Sequence, residues 1–126
     1  MHWIWIVWML AVIVYFVYRM LPAKGVKTLR VHELREMLRD RKTRVQYVDV
    51  REPGEFRQGH VEGFRNIPLG QLKNRLGELD KNKTVVVMCH SGMRSAQAAR
   101  LLAKQGFADV RNLSGGFMAW QASRGR

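Results

Sequence analysis

The hydrophobic pattern divides the chain into a continuous apolar segment and a longer segment in which apolar and polar positions alternate. Every residue from Trp3 to Tyr18 is apolar or aromatic, and Met20 and Leu21 extend this run beyond Arg19. At ~1.5 Å per residue, a helix over residues 3–21 is roughly 28 Å long, close to the thickness of the hydrocarbon core of a bilayer. The pattern therefore predicts a transmembrane helix over residues 1–21, with the membrane contacted by residues 3–21.

A signal peptide, an interfacial helix and a buried core helix each fit the apolar segment less well. A secretory signal peptide has basic residues before its apolar core and an Ala-x-Ala cleavage site after it, and this segment has neither. An interfacial helix has a polar face, which this segment lacks. A buried core helix would be unusually rich in tryptophan. The basic residues that follow the segment, Arg19, Lys24, Lys27 and Arg30, precede the first acidic residue, Glu33. The positive-inside rule then predicts a single-pass protein of the cell membrane, with its C-terminal domain in the cytoplasm.

The second segment alternates between strand-like and helix-like patterns. A linker over residues 22–26, with Pro22 and Gly25, is expected to separate it from the first. Strands are predicted over 29–31, 45–50, 64–67, 85–88 and 110–113, and helices over 32–41, 53–58, 69–79, 96–105 and 117–123. Ser95 is the expected N-cap of the helix over 96–105. Such alternation is typical of an α/β domain, here residues 27–126, with a parallel sheet and helices on both faces.

The strongly basic composition raises the question of nucleic acid. The formal net charge is +12 at pH 7. The densest basic run, Arg35 to Arg44, also contains Glu36 and Asp40, as solvated helix faces commonly do. No recognised nucleic-acid module accompanies it. Nucleic acid is therefore not an expected partner, and attraction to anionic lipid accounts for the charge more simply.

Cys89 is the only cysteine, and its surroundings favour a functional thiol over a merely buried one. It follows the apolar run 85–88 and precedes turn-forming residues and a predicted helix. Ligands usually bind at the carboxyl ends of parallel strands. Loop amides, the helix N-terminus and the charge of Arg94 would all favour the thiolate, which is the nucleophilic form. An intramolecular disulfide is impossible, and the four histidines are scattered, so neither a metal nor a cofactor is expected.

Three motifs resemble the signatures of rhodanese domains. The first is DVREPGEF at 49–56 followed by GHVEGFRNIP at 59–68, and the second is the loop CHSGMRS at 89–95. The third comprises Gly106-Phe107, Val110, Leu113, Gly115-Gly116 and Trp120. They occur in the usual order and spacing over residues 27–121, which makes the resemblance specific. The sequence is thus similar to small single-domain rhodaneses, some of which carry a membrane anchor.

The resemblance implies a sulfurtransferase in which Cys89 is the catalytic nucleophile. Cys89 would take the sulfane sulfur of thiosulfate or of a persulfide and pass it from a cysteine persulfide to a thiol or cyanide. The residues expected to bind the small-molecule substrate are His90, Ser91, Gly92, Met93, Arg94 and Ser95. Asp49 and Arg51 are expected to support the site electrostatically or structurally. A membrane-protein partner would be consistent with an anchor.

Two other classes of function remain open at this point. Cysteine-dependent phosphatases use a similar loop before a helix, but they place five residues between cysteine and arginine, whereas four separate Cys89 from Arg94. Arsenate reduction through Cys89 with an external thiol is a related alternative. The other class is a membrane-tethered interaction module without catalysis, although such a module has no need of Cys89 or Arg94. The length of the loop favours a sulfane sulfur over a tetrahedral phosphate ester.

Overall fold

A computed structural model describes residues 1–20, 25–40 and 44–124 of the chain. Its first element is helix α1, Trp3–Met20, whose large apolar side chains are mostly exposed. Eighteen residues give α1 a length of about 27 Å, and Arg19 lies in its last turn. Within the described ranges, no helix combines the length and the apolar character needed to cross a membrane. The predicted transmembrane helix over 1–21 is thus unsupported, and the predicted single-pass location at the cell membrane is wrong.

The rest of the described chain is built on one sheet of five parallel strands. The strands are β1 (Val26–Leu29), β2 (Val45–Asp49), β3 (Arg65–Asn66), β4 (Thr84–Met88) and β5 (Val110–Leu113). Their order across the sheet is β1-β5-β4-β2-β3. The central strand β4 is buried on both faces, as expected of a run of β-branched residues in a parallel sheet. The predicted parallel sheet is confirmed.

Helices cover both faces of this sheet, as predicted. The helices are α2 (Val31–Arg39), α3 (Pro53–Gln58), α4 (Leu69–Leu72), α5 (Met93–Lys104) and α6 (Gly116–Arg124), and a 3₁₀ helix follows α4 at Lys73–Glu78. One buried cluster joins Val85, Val87 and Cys89 to α4 and α5, and the other joins Val86 and Met88 to α2 and α6. Successive residues of β4 therefore anchor opposite layers of the domain.

Several predicted boundaries are wrong by a few residues. β1 begins at Val26, inside the predicted linker over 22–26, and residues 22–24 of that linker lie outside the described ranges. The helix predicted over 96–105 begins at Met93, so its N-cap is Gly92 rather than Ser95. Gly92 has a φ of 110°, which glycine adopts without the steric cost that a side chain would add. This early start brings the first turn of α5 up to the cysteine.

Candidate active site

Cys89 lies at the carboxyl end of the central strand, immediately after β4. Parallel pairing aligns Asp49 of β2 with Met88 and Asn112 of β5 with Val87, so both residues lie near the carboxyl-end edge of the sheet, where Cys89 follows β4. The Sγ atom of Cys89 accepts a hydrogen bond from the backbone N–H of Gly92 at 2.9 Å. It also lies 3.4 Å from the hydroxyl of Ser95. The loop and the first turn of α5 therefore enclose the sulfur with hydrogen-bond donors.

This environment lowers the pKa of Cys89 below its usual value. Burial acts in the opposite direction, because residue 89 is only 1 % exposed and a charged thiolate loses water there. The hydroxyl of Ser95 and the backbone N–H groups of Ser95, Gly92 and Ser91 more than compensate, since they favour the ionised sulfur. Arg94 is not among these main causes. The predicted thiolate-stabilising loop is thus present, but it acts chiefly through hydrogen bonds from its own residues.

The hydroxyl of Ser95 connects Cys89 to β5. Its Oγ atom lies 2.6 Å from Oδ1 of Asn112 and 3.1 Å from the carbonyl oxygen of Gly92. The amide group of Asn112 in turn donates to the carbonyl of Gly92 at 3.4 Å. Ser95 is fully buried. Asn112 therefore holds both the loop carbonyl and the hydroxyl that faces the sulfur.

The first turn of α6 holds the other side of the loop. The backbone N–H of Phe117 donates to the carbonyl of Cys89 at 2.8 Å, and that of Met118 donates to the carbonyl of His90 at 3.0 Å. Gly116 makes this close approach possible, because a Cβ atom there would collide with both carbonyl oxygens. Its φ of 59° also favours glycine. The backbone of the cysteine loop is thus fixed by the start of α6.

Asp49 and Arg51 form a buried ion pair beneath this edge of the sheet. The Asp49 carboxylate is fully buried and accepts from Nη2 of Arg51 at 2.7 Å, from Nε at 2.9 and 3.0 Å, and from the backbone N–H of Arg51 at 3.1 Å. Arg51 also donates to the carbonyl of Gly59 at 2.8 Å, and its guanidinium lies 4.2 Å from the centroid of the Phe117 ring. The pair therefore ties the segment after β2 to the start of α6, and the supporting role of these two residues in the site stays a prediction.

Arg94 faces a carboxylate rather than an open site. Its Nη1 and Nη2 atoms donate to Oε1 and Oε2 of Glu55 at 2.8 and 3.0 Å. This ion pair lowers the pKa of Glu55 to about 2 and raises the pKa of Arg94. The loop and α3 are thus connected by two parallel charge-assisted hydrogen bonds.

The remaining predicted substrate-binding residues lie at the outer surface of the loop. His90, Ser91 and Met93 are exposed, Met93 to 78%. His90 also borders a small cleft beside the loop, whose other side chains include Arg51, Glu55, Gln58, Phe117 and Gln121. Cys89, Gly92 and Ser95 are therefore in mutual contact, whereas His90, Ser91 and Met93 surround them without a hydrogen bond to the sulfur through their side chains.

Three residues next to the loop cannot be assigned a role from the sequence alone. Glu55 lies in the first motif, but its partner Arg94 is distant along the chain. Asn112 precedes Leu113 at the end of an otherwise ordinary strand, and only strand order shows that it borders the cysteine. Gly116 forms the turn expected of it, but its packing against the loop is visible only in the tertiary structure. For Asn112, a polar residue near a strand end, that position is the one feature of the sequence that could have indicated a place beside the site.

Comparison with known proteins agrees with this geometry. The family model for the rhodanese-like domain matches residues 30–123, so the chain belongs to the rhodanese-like domain family. The thiosulfate sulfurtransferase GlpE of Shewanella oneidensis is 39% identical over 94 residues, covering 75% of this chain and 91% of that protein. The thiosulfate sulfurtransferase PspE of Escherichia coli is 42% identical over 71 residues, covering 55% and 68% respectively. The crystal structure of a rhodanese-like domain protein from Staphylococcus aureus matches with a TM-score of 0.70 and 32% identity, over 75% of this chain and 90% of that one. At the level of the family, sulfurtransferase activity is supported.

Proposed function

We propose that this protein is a sulfurtransferase that carries a sulfane sulfur on Cys89. The observation that carries the proposal is the enclosure of the Cys89 sulfur by the N–H of Gly92 and the hydroxyl of Ser95 at the end of β4. These donors stabilise a thiolate, and the same donors suit the charged sulfur of a cysteine persulfide. The similarity to proteins named thiosulfate sulfurtransferase supports the same conclusion.

In the proposed first half-reaction, the Cys89 thiolate attacks the outer sulfur of thiosulfate. A sulfur–sulfur bond forms to Cys89, the sulfur–sulfur bond of thiosulfate breaks, and sulfite leaves with the bonding electron pair. In the second half-reaction, a thiolate or cyanide attacks the terminal sulfur of the Cys89 persulfide. The product is an organic persulfide or thiocyanate, and the Cys89 thiolate is regenerated. Charge is conserved in both steps, so no external oxidant or reductant is needed.

The burial of the cysteine favours a donor with an unhindered reacting atom. Residue 89 is 1 % exposed, so the approach to its sulfur is narrow. The outer sulfur of thiosulfate or of a persulfide is terminal, whereas the phosphorus of a phosphate ester is surrounded by four oxygens. In addition, the guanidinium of Arg94 is already engaged by Glu55, so a phosphate beside the sulfur would have to compete with that carboxylate. Both observations favour sulfur transfer over the phosphatase and arsenate reductase alternatives.

The direct test is the intact mass of the full chain after treatment with thiosulfate. A gain of one sulfur atom, removed again by cyanide, is the expected result. Because Cys89 is the only cysteine, the adduct can be assigned without fragmentation. Cys89→Ser is the matched control and should gain no sulfur, while its circular dichroism spectrum should match that of the wild type.

A second donor separates a wrong donor from a wrong reaction class. If thiosulfate leaves the mass unchanged but glutathione persulfide adds one sulfur, sulfur transfer stands and thiosulfate is not a donor. If neither compound modifies the wild type, the proposed function is wrong. Hydrolysis of an aryl phosphate by the wild type but not by Cys89→Ser would then identify the phosphatase alternative.

A further inference from the structure

The two arginines nearest the cysteine loop are both already bound to carboxylates. Arg51 is buried and its guanidinium donates to Asp49 and to the carbonyl of Gly59. Arg94 is only partly buried, and Glu55 binds it through both terminal nitrogens. A dianionic donor such as thiosulfate therefore finds neither guanidinium free of a carboxylate partner.

Glu55 is placed to keep Arg94 engaged over the whole physiological pH range. The Arg94 hydrogen bonds hold the pKa of Glu55 at about 2, so its carboxylate stays ionised at any pH at which the protein is expected to act. The Oε1 atom of Glu55 also accepts from the backbone N–H of Glu52 at 3.1 Å, which fixes the carboxylate at the start of α3. Glu52 contributes a second negative charge that acts on Arg94. The electrostatic environment beside the loop is thus less favourable to anions than the sequence suggests.

A purely structural role does not account well for this arrangement. The side chains of Arg94 and Glu55 are 37% and 36% exposed, and ion pairs with that exposure contribute little to stability. The pair does bear on anion binding, because an incoming sulfonate oxygen has to compete with the two hydrogen bonds that the guanidinium makes to Glu55. The terminal sulfur of an organic persulfide carries a single charge and no sulfonate oxygen, so such a donor depends less on a free guanidinium.

On the basis of the proposed function, we propose that Glu55 is a specificity-determining residue that disfavours oxyanionic sulfur donors. By holding Arg94, Glu55 raises the concentration of thiosulfate needed for half-saturation relative to that of an organic persulfide. The preferred donor class is accordingly a thiol persulfide. Glu55 acts through Arg94, and it is not itself a catalytic residue.

The test compares Glu55→Gln with the wild type in the full chain. Gln keeps an oxygen that can accept from Glu52 but removes the negative charge. The rate of Cys89 persulfide formation is followed by rapid quenching and mass spectrometry at varied concentrations of thiosulfate and, separately, of 2-mercaptoethanol persulfide, which carries no carboxylate. For thiosulfate we expect the half-saturating concentration to fall about threefold to fivefold with an unchanged limiting rate, since a partly exposed ion pair is released. For 2-mercaptoethanol persulfide we expect the half-saturating concentration to stay the same.

Glu78→Gln is the matched control. Glu78, on the 3₁₀ helix, is equally exposed and pairs with Arg75 of the same helix and with Arg65 of β3. Glu78→Gln should change the half-saturating concentration of neither donor. The proposal is overturned if Glu55→Gln leaves the half-saturating concentration of thiosulfate unchanged, lowers that of both donors equally, or raises that of thiosulfate. The last result would mean that Glu55 positions Arg94 for the anion.

A second measurement separates failure of this inference from failure of the proposed function. Sulfate is an oxyanion that donates no sulfur, and its protection of Cys89 against iodoacetamide can be measured without any turnover. Glu55→Gln should be protected at about threefold to fivefold lower sulfate concentration than the wild type or Glu78→Gln. Equal protection in all three proteins overturns the role of Glu55 even if sulfur transfer is observed. Stronger protection of Glu55→Gln supports the control of anion binding even if no persulfide forms.

Discussion

The Oγ atom of Ser95 lies 2.6 Å from Oδ1 of Asn112 and 3.4 Å from Sγ of Cys89. The carbonyl oxygen of Gly92 is a third acceptor, at 3.1 Å, and a serine hydroxyl has one proton, so it cannot donate to all of them at once. In the neutral state of Cys89, the shortest contact favours donation to Asn112. When Cys89 ionises, its negative charge favours donation to the sulfur. The protonation state of the cysteine and the orientation of one hydroxyl are therefore coupled.

The first prediction concerns Ser95→Ala. This change removes a donor to the thiolate, so the pKa of Cys89 should rise by about one pH unit, in keeping with the loss of one hydrogen bond to a charged group. The measurement is the pH dependence of iodoacetamide alkylation of the full chain, in which only Cys89 reacts. An unchanged midpoint would show that Ser95 does not stabilise the thiolate. Ser114→Ala, at an exposed serine after β5, is the control and should leave the midpoint unchanged.

The second prediction has the opposite sign. Asn112→Ala removes the nearest acceptor that competes with Cys89 for the Ser95 proton and leaves the carbonyl of Gly92 at 3.1 Å, so the pKa of Cys89 should fall relative to the wild type. The same alkylation titration measures it. In Ser95→Ala there is no proton to compete for, so adding Asn112→Ala to that variant should produce no further fall. A fall of equal size in both backgrounds would contradict the coupling, because Asn112 would then act independently of Ser95.

How far the sequence predicts this site depends on the range of the contact. The position of Cys89 can be predicted because β4 is a local apolar run followed by turn residues, and a strand end is defined by its own neighbours. The hydrogen bond between Asn112 and the Ser95 hydroxyl cannot be predicted from the sequence, because it depends on β5 lying next to β4. The early start of α5 is also not predicted. Ser95 is a good N-cap by residue type, but Gly92 can adopt the left-handed conformation that the tight loop requires.

The segment before the domain shows the limit of hydropathy in this chain. An apolar run over residues 3–21 is sufficient to predict a membrane span, and the helix predicted there does form, as α1. Its described length is about 27 Å, and a charged residue lies in its final turn. Apolar composition thus predicts the type of element correctly, although no helix within the described ranges has the length and apolar character of a membrane span. The Asp49–Arg51 pair differs from α1 in this respect, because a sequence motif points to these two residues. Parallel pairing of β2 with β4 then places Asp49 at the carboxyl-end edge of the sheet.

The third prediction concerns Gly116→Ala. A methyl group at this position collides with the carbonyl oxygens of Cys89 and His90, and the positive φ adds strain. The start of α6 has to move, which displaces the loop backbone that it holds. We expect sulfur transfer by Cys89 to fall at least about tenfold, since misplacement of a reacting group is costly. The control is Gly70→Ala, where a Cβ meets nothing within 4 Å, and its activity should match the wild type.

The fourth prediction concerns the stability provided by the buried ion pair. Asp49→Asn leaves the charge of Arg51, which is 3% exposed, without its carboxylate partner. Breaking one side of a buried pair typically costs about 3–5 kcal/mol, and we expect the free energy of unfolding to fall by that amount in urea denaturation. Asp80→Asn breaks an exposed contact with Lys83 at 3.8 Å and is the control. It should cost less than about 1 kcal/mol. Equal costs for the two variants would show that burial of the Asp49 pair adds nothing.

The fifth prediction concerns the response of the wild type to pH. Because the folded state lowers the pKa of Cys89, ionisation of the thiol contributes to stability. That contribution is fully present above the pKa of the unfolded thiol and is lost as pH falls through the folded pKa. Alkylation of the native chain should therefore reach its midpoint at lower pH than alkylation of the chain unfolded in urea. Between those two midpoints, the free energy of unfolding of the wild type should increase as pH rises. Cys89→Ser should lack this part of the pH dependence. If the native midpoint equals or exceeds the unfolded one, the loop donors do not overcome the burial of the sulfur.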